Sequence, residues 1–221
     1  MTSRASLVIL ISGSGSNMQA IIDATKDGRI DADVALVLSN RADAGGLGKA
    51  EQAGIPTCVI EHSAFDSREQ FDQAMMEIID PLKPDLVVLA GFMRILTPAF
   101  IRHYHDRLLN IHPSLLPRYK GLNTHQRAIE NGDAIHGASV HYVSDELDSG
   151  PVVIQAIVNV SADDDAASLA ARVLEQEHVI YPIAIQFHIS GRLIVSDQCL
   201  LFDGKELEKP LRWENDELKN E

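Results

Sequence analysis

Cysteine is almost absent: Cys58 and Cys199 are the only two in 221 residues. Two cysteines make no disulfide framework, and no C-x-x-C pair exists, so a stapled secreted scaffold is excluded and a reducing cytoplasmic home is expected. Long apolar runs are missing too. The run at 7–11 is too short for a signal-peptide core, and the longest, 86–93, falls far short of the roughly 20 residues that a membrane helix needs. No membrane partner is therefore expected. Positive charge is in deficit, with 19 Lys and Arg against 32 Asp and Glu and a net charge of −13. Such a surface repels phosphate backbones, which argues against general nucleic-acid binding but not against one small anion in a local pocket. Much of the acid, at 163–165 and from 206 onward, reads as solvated surface. No repeat, low-complexity tract or Pro/Gly-rich linker breaks the chain. It reads as one domain over 1–205, with an acidic, poorly ordered tail at 206–221.

Apolar runs alternate with helical patterns. Residues 7–11 read as a strand, followed by a helix over 16–26 that Gly28 ends. Residues 34–38 form a second strand and 47–53 a helix closed by Gly54, with a short strand near Cys58. Phe71, Met75, Ile78, Ile79 and Leu82 recur at helical spacing, which predicts an amphipathic helix over 67–82. Its start, Ser67 with Gln70, resembles a capping box. Residues 86–89 are uninterruptedly apolar, as in a strand covered on both faces. Thr97-Pro98 reads as an N-cap with proline at the first helical position, and 108–111 as the next strand. Two β-rich runs, 138–143 and 152–160, flank a turn at 145–150 and suggest a hairpin. A long helix runs from about 165 to 189, with Gly191 at its end and a kink expected at Pro182. The pattern predicts an α/β fold: a doubly wound, mostly parallel sheet with antiparallel strands near the C-terminal part.

The first strand ends in Ser12-Gly13-Ser14-Gly15-Ser16-Asn17 and leads straight into a helix. Glycines let backbone N–H groups approach a ligand, and a helix N-terminus favours an anion. The alternative is a tight turn with a serine cap. The position, at a strand's carboxyl end, favours a phosphate site. It is not a dinucleotide site, because Met18 stands where the third glycine belongs and Ser39-Asn40 where a ribose-binding acid belongs. Gly45-Gly46-Leu47-Gly48-Lys49 fails as an ATP loop, since Ala50 replaces the required Ser or Thr and Asp43 the first glycine.

The segment Leu108-Leu109-Asn110-Ile111-His112-Pro113 breaks the apolar rule of a buried strand. Asn110 and His112 alternate with apolar residues, so they share one face. The Asn amide can donate to a developing oxyanion and the His can move protons near neutral pH. A carboxylate should orient the imidazole. The turn at 145–150 offers Asp145, Glu146 and Asp148, and the residues alone do not choose among them. Metal chemistry finds little support. His103-x-His105 and His136-x4-His141 are the nearest His pairs, and no H-E-x-x-H or Cys/His array occurs. Apart from His112, the other eight His read as surface or structural.

Five motifs in this order, ISGSGSN at 11–17, AFDSRE at 64–69, VLAGFMRIL at 88–96, LLNIHPSLLP at 108–117 and DELDSGPV at 145–152, resemble the glycinamide ribonucleotide formyltransferase family of folate-dependent purine-biosynthesis enzymes. The resemblance extends to about Leu193. It implies a Rossmann-like fold and direct formyl transfer from 10-formyltetrahydrofolate, as co-substrate and without a metal, to the amine of glycinamide ribonucleotide. It implies Asn110, His112 and Asp148 as the catalytic set. Gly15, Ser16 and Asn17 would hold the ribonucleotide phosphate and Glu177 the glycinamide part. Arg68, Met93, Arg94, Ile95, Leu96 and Asn110 would line the folate site. The partners expected are these small molecules, with a monomer or homodimer as the assembly. Ser149 stands where many relatives have Gly, and Lys120 and Asn123 lie in the 114–125 loop where some relatives carry Pro and His. Two rivals remain at this stage. One is a relative with the same chemistry that formylates methionyl-tRNA or hydrolyses formyl-folate; the short chain and acidic charge argue against it. The other is a non-catalytic nucleotide-binding module, which leaves Asn110 and His112 unexplained.

Overall fold

The computed structural model describes residues 4–196, 199–215 and 217–220. By compactness the chain divides into two units, Met1–Leu109 and Asn110–Glu221. The division falls within a strand, which is why no linker composition marks it and why the sequence reads as one domain.

The first unit holds β1 (Ala5–Ile11), α1 (Ser16–Lys26), β2 (Ala32–Ser39), α2 (Gly45–Gln52), β3 (Thr57–Val59), α3 (Arg68–Ile79), β4 (Leu86–Leu89) and α4 (Pro98–His103). Its strands lie in the order β3-β2-β1-β4, and every neighbouring pair is parallel. Leu7 to Leu10 pair in register with Leu86 to Leu89, and most of these side chains have no exposure, as expected of a sheet covered on both faces. Winding reverses between β1 and β4. The carboxyl ends at such a switch point are where ligands of doubly wound sheets bind. Ser67 caps α3 as expected, accepting from the Gln70 N–H at 3.2 Å, while the Gln70 side chain reaches the Asp66 N–H. Thr97 caps α4, with Pro98 as its first residue.

Strand β5 (Leu108–His112) crosses into the second unit, followed by α5 (Thr124–Glu130), β6 (Ile135–Tyr142), β7 (Val152–Asn159), α6 (Ala166–Ile189), β8 (Leu193–Val195), β9 (Leu200–Phe202), β10 (Lys205–Glu206), β11 (Leu211–Glu214) and β12 (Glu217–Lys219). The order is β5-β6-β7-β11-β12. β6 and β7 form the expected antiparallel hairpin, and β8, β9 and β10 a small antiparallel sheet. Helix α6 begins at a reciprocal Asp165–Ser168 capping box and continues through Pro182 to Ile189. The fold is thus α/β, parallel in the first unit with antiparallel strands late in the chain. Residues 206–221 read from sequence as a tail, yet β11 pairs parallel with β7 and Leu211 is fully buried. One apolar side chain and a strand ladder anchor what a charge count alone presents as solvated. Residues 216 and 221 of that stretch lie outside the described residues.

Candidate active site

The glycine loop has the geometry of an anion cradle. Gly15 is the N-cap of α1, in the left-handed conformation (φ 69°, ψ 35°), and no side chain caps the helix. The serine-cap alternative therefore does not apply, and a helix N-terminus of this kind favours an anion. Gly15 is obligatory on packing as well as on φ: an added Cβ would lie 2.8 Å from Gly46 Cα. Gly46 N–H donates to Gly13 O at 3.0 Å. Of the glycines that resemble a failed ATP loop, Gly46 thus lets α2 approach the cradle. Gly13 and Ser14 are exposed, Ser16 half-buried and Asn17 buried.

The segment after β4 is fastened at both ends. Met93 N–H donates to the Ser12 hydroxyl at 2.7 Å, and Thr97 N–H to the buried Asp72 carboxylate at 2.6 Å. Burial pushes the Asp72 pKa up, against the pull of its hydrogen bonds from Thr97. Between these points Met93 and Ile95 are 65% and 59% exposed, Arg94 is half-buried and Leu96 is buried. Two large apolar side chains held out to solvent on a fixed backbone suit a flat, partly apolar ligand. Arg68 is exposed at the first position of α3, the helix that carries Asp72.

In the second unit the structure brings Asn110, His112 and Asp148 together. His112 Nδ1 lies 3.5 Å from Asp148 Oδ2, and both side chains are more than nine-tenths buried. That separation is an ion-pair contact rather than a hydrogen bond; such contacts often tighten only when substrate binds. His112 Nε2 is 2.9 Å from the Tyr119 carbonyl, which can only accept, so Nε2 carries a hydrogen. The proton that the ring can gain or lose without breaking this bond is the one on Nδ1, facing Asp148. Asp148 itself is left-handed (φ 49°), a conformation that non-glycine residues adopt at a cost. It is held by Gly121 N–H donating to Oδ2 at 2.9 Å and by the close approach of Gly150 to the Tyr142 carbonyl, which an added Cβ would strike. Of the three carboxylates in the turn, only Asp148 meets the imidazole: Asp145 and Glu146 are exposed, and Glu146 pairs with Lys120. Lys120 and Ser149, through hydrogen bonds, hold the Glu146 carboxyl below its usual range. Lys120 also bonds the Ser149 hydroxyl, so two of the departures noted in the sequence contact each other.

The sequence reads His141 as surface or structural, and the geometry gives it more to do. Its Nδ1 lies 2.9 Å from the Tyr142 carbonyl, so Nδ1 carries the hydrogen and Nε2 accepts from the Asn110 amide at 3.1 Å. Nε2 is also 3.8 Å from Asp148 Oδ1. Burial pushes the His141 pKa down, which keeps the ring neutral and able to accept. One Asn110 amide hydrogen is thereby fixed and the other is aimed. A polar residue inside the apolar run 138–143 was the available signal, of the same kind that singled out Asn110. His125 and His136 form a second, partly buried contact, 3.2 Å between ring nitrogens. Desolvation lowers the pKa of both, that of His136 to about 4.

Glu177 is buried along α6. Cys58 and Cys199 are half-buried free thiols, and burial raises the Cys58 pKa, which leaves it a poor nucleophile. Among the described residues no group of three or more His, Cys, Asp or Glu side chains could hold a metal ion, and no helix is long and apolar enough to cross a membrane.

The formyl transferase family model matches residues 5–185. Phosphoribosylglycinamide formyltransferase of Escherichia coli (strain K12) is 57% identical over 201 residues, 91% of this chain and 95% of that protein. The solved phosphoribosylglycinamide formyltransferase of Coxiella burnetii superposes with a TM-score of 0.89 at 48% identity, covering 93% of this chain and 96% of its own. A formyltetrahydrofolate deformylase from Pseudomonas syringae pv. tomato has a TM-score of 0.85 at 26% identity, covering 91% of this chain and 66% of its own.

Proposed function

The chain belongs to the formyl transferase family, and we propose that it transfers the formyl group of 10-formyltetrahydrofolate to the amine of glycinamide ribonucleotide. The products are N-formylglycinamide ribonucleotide and tetrahydrofolate, in de novo purine biosynthesis. The observation that carries the reading is the group at the end of β5: an Asn amide oriented by a neutral His141, beside an imidazole that faces a carboxylate. The drop from 57% identity with a transferase to 26% with a deformylase favours transfer over hydrolysis. The family match spans both compact units, which supports a single formyltransferase domain. Two free thiols suit a cytoplasmic enzyme, and small molecules are its partners.

In this mechanism the substrate amine attacks the formyl carbon and a tetrahedral oxyanion develops. Asn110 donates its remaining amide hydrogen to that oxygen. His112, protonated at Nδ1 against Asp148, adds positive charge while Nε2 stays on the Tyr119 carbonyl. Asp148 orients the ring and stabilises the imidazolium. The folate nitrogen takes a proton from His112 Nδ1 or a water as its C–N bond breaks, and the proton of the attacking amine replaces it. Gly15, Ser16 and Asn17 take the ribonucleotide phosphate at the uncapped N-terminus of α1, and Glu177 contacts its glycinamide part. Arg68 and the stretch from Met93 to Leu96, with Asn110, line the folate site. The test is incubation with 10-formyltetrahydrofolate and, separately, glycinamide ribonucleotide, water alone or methionyl-tRNA. Formylation of the ribonucleotide alone is expected. Folate hydrolysis or tRNA formylation at a comparable rate overturns the reading.

A further inference from the structure

Ser12 ends the buried run of β1 and opens the glycine loop, and each of its hydrogen-bonding groups on that side is engaged. Its N–H donates to Gly91 O at 3.1 Å. Its hydroxyl accepts from the Met93 N–H at 2.7 Å and lies 2.6 Å from Asn40 Oδ1. An amide N–H can only donate, so the hydroxyl proton must go to Asn40. That turns the Asn40 amide nitrogen toward His62 Nδ1, 3.1 Å away. Ser12 and Asn40 are 7% and 3% exposed. Asn40 stands where a dinucleotide-binding chain would present its ribose acid; here the side chain turns inward and completes a bond to the neighbouring strand.

We propose that Ser12 and Asn40 are positioning residues: their hydroxyl–amide relay fixes the Met93–Leu96 segment to the root of the phosphate loop, so that the folate-lining side chains are presented in one place. The inference rests on the reading of that segment as folate-lining. Asp72 holds the far end at Thr97; at the near end the backbone bond to Gly91 O stops two residues short, and the Ser12 hydroxyl is what holds Met93 itself. A buried N–H that loses its acceptor is costly to leave in place. Without the hydroxyl, the segment relaxes toward water at Met93, and Met93 and Ile95, both already exposed, lose their fixed spacing. Neither Ser12 nor Asn40 has a part in the chemistry at Asn110, so the loss falls on donor binding.

The test compares steady-state kinetics, with both substrates varied, for Ser12→Ala, Asn40→Leu, the double variant, Asn40→Asp and Ile95→Ala. Ser12→Ala and Asn40→Leu should each raise the folate KM about tenfold, equivalent to roughly 1.4 kcal/mol. The ribonucleotide KM and kcat should stay within about twofold. The double variant should be no worse than the worse single one, because both remove one relay. Asn40→Asp keeps the acceptor for Ser12 and should restore the folate KM. Ile95→Ala should raise the folate KM whatever the state of Ser12. An Ile95 effect without a Ser12 effect overturns the positioning role alone. No Ile95 effect overturns the folate reading of the segment, and the inference with it. Equal rises in both KM values on Ser12→Ala mark a general structural loss and also overturn it. Should Ser12→Ala not fold, hydrogen exchange in the unaltered protein decides: slow exchange at the Met93 N–H supports the anchor, and exchange as fast as an open chain refutes it.

Discussion

Replacing Gly15 by Ala is the sharpest perturbation of the proposed phosphate cradle, because the structure supplies two separate costs. The residue is left-handed at φ 69°, which costs a side-chain-bearing residue about 1–2 kcal/mol. The new Cβ would also lie 2.8 Å from Gly46 Cα and 3.1 Å from Met18 Cε. Met18 can turn its methyl away. Gly46 is helix backbone and cannot retreat without stretching its bond to Gly13 O. Overpacking of this kind costs about 1–3 kcal/mol, for a total of roughly 2–5 kcal/mol and a fall in Tm of roughly 5–20 °C. The relief available is a shift of the loop itself, which turns the first-turn N–H groups of α1 off the phosphate. The ribonucleotide KM should therefore rise tenfold or more, with the folate KM within about twofold. Gly46→Ala approaches the contact from the other side, its Cβ meeting Ile11 Cδ1 at 2.6 Å and Gly15 Cα at 3.1 Å, and should shift the same KM. Gly48→Ala is the control. It has nothing within 4 Å, and removing a helical glycine should add about 0.5–1 kcal/mol of stability with both KM values unchanged. Kinetics and thermal melts on the three variants decide the matter. A lower Tm with an unchanged ribonucleotide KM, or equal rises in both KM values, refutes the cradle.

Asn110→Ala should lower kcat by a factor of roughly 10² to 10³ with both KM values nearly kept, the loss typical of one oxyanion donor; near-normal turnover in a stopped assay removes Asn110 from the mechanism. Asp148→Asn keeps an acceptor for Gly121 and a residue tolerant of positive φ, so the fold should survive while turnover drops by orders of magnitude. Asp145→Asn and Glu146→Gln, which alter charge in the same turn, should cost far less, and equal losses would show that the turn acts through bulk charge. Acid should destabilise the protein through its buried imidazoles. The folded-state pKa of His136 is about 4 against an ordinary 6.5, so the unfolded chain binds the proton first. Stability is full above pH 6.5 and declines as pH falls toward 4, by on the order of 3 kcal/mol from His136 alone. His125 and His141 shift in the same direction. Urea titrations between pH 7 and 4.5 should show this slope, flattened in His136→Gln; an unchanged slope in that variant refutes the assignment.

Much of the fold was legible because the first unit obeys simple rules. Residues 86–89 are apolar throughout because both faces of the sheet are covered, and Thr97-Pro98 and Ser67 cap the helices they were expected to cap. Asn110 and His112 were visible because polar side chains interrupt a buried strand. His141 interrupts one equally, but a buried His with one backbone partner is common, and only the pairing with Asn110 on β5 gives it a role. The choice of Asp148 over Asp145 and Glu146 depends on a left-handed backbone and the Gly121 contact, neither of which spacing reveals. Ser12 and Asn40 lie far apart in sequence and meet only because β1 and β2 are parallel neighbours. Leu211 looked like part of a charged tail because its anchoring is a strand pairing with β7.

The central claim is direct transfer by Asn110, His112 and Asp148, with no formyl group resting on the protein. A rapid-quench single turnover tests it, using enzyme in excess over 10-formyltetrahydrofolate labelled in the formyl carbon, with glycinamide ribonucleotide present. The account predicts that the label passes from folate to N-formylglycinamide ribonucleotide at one rate, with none precipitating with protein at any time. Label held covalently by the protein, or released as formate faster than it reaches the ribonucleotide, contradicts it.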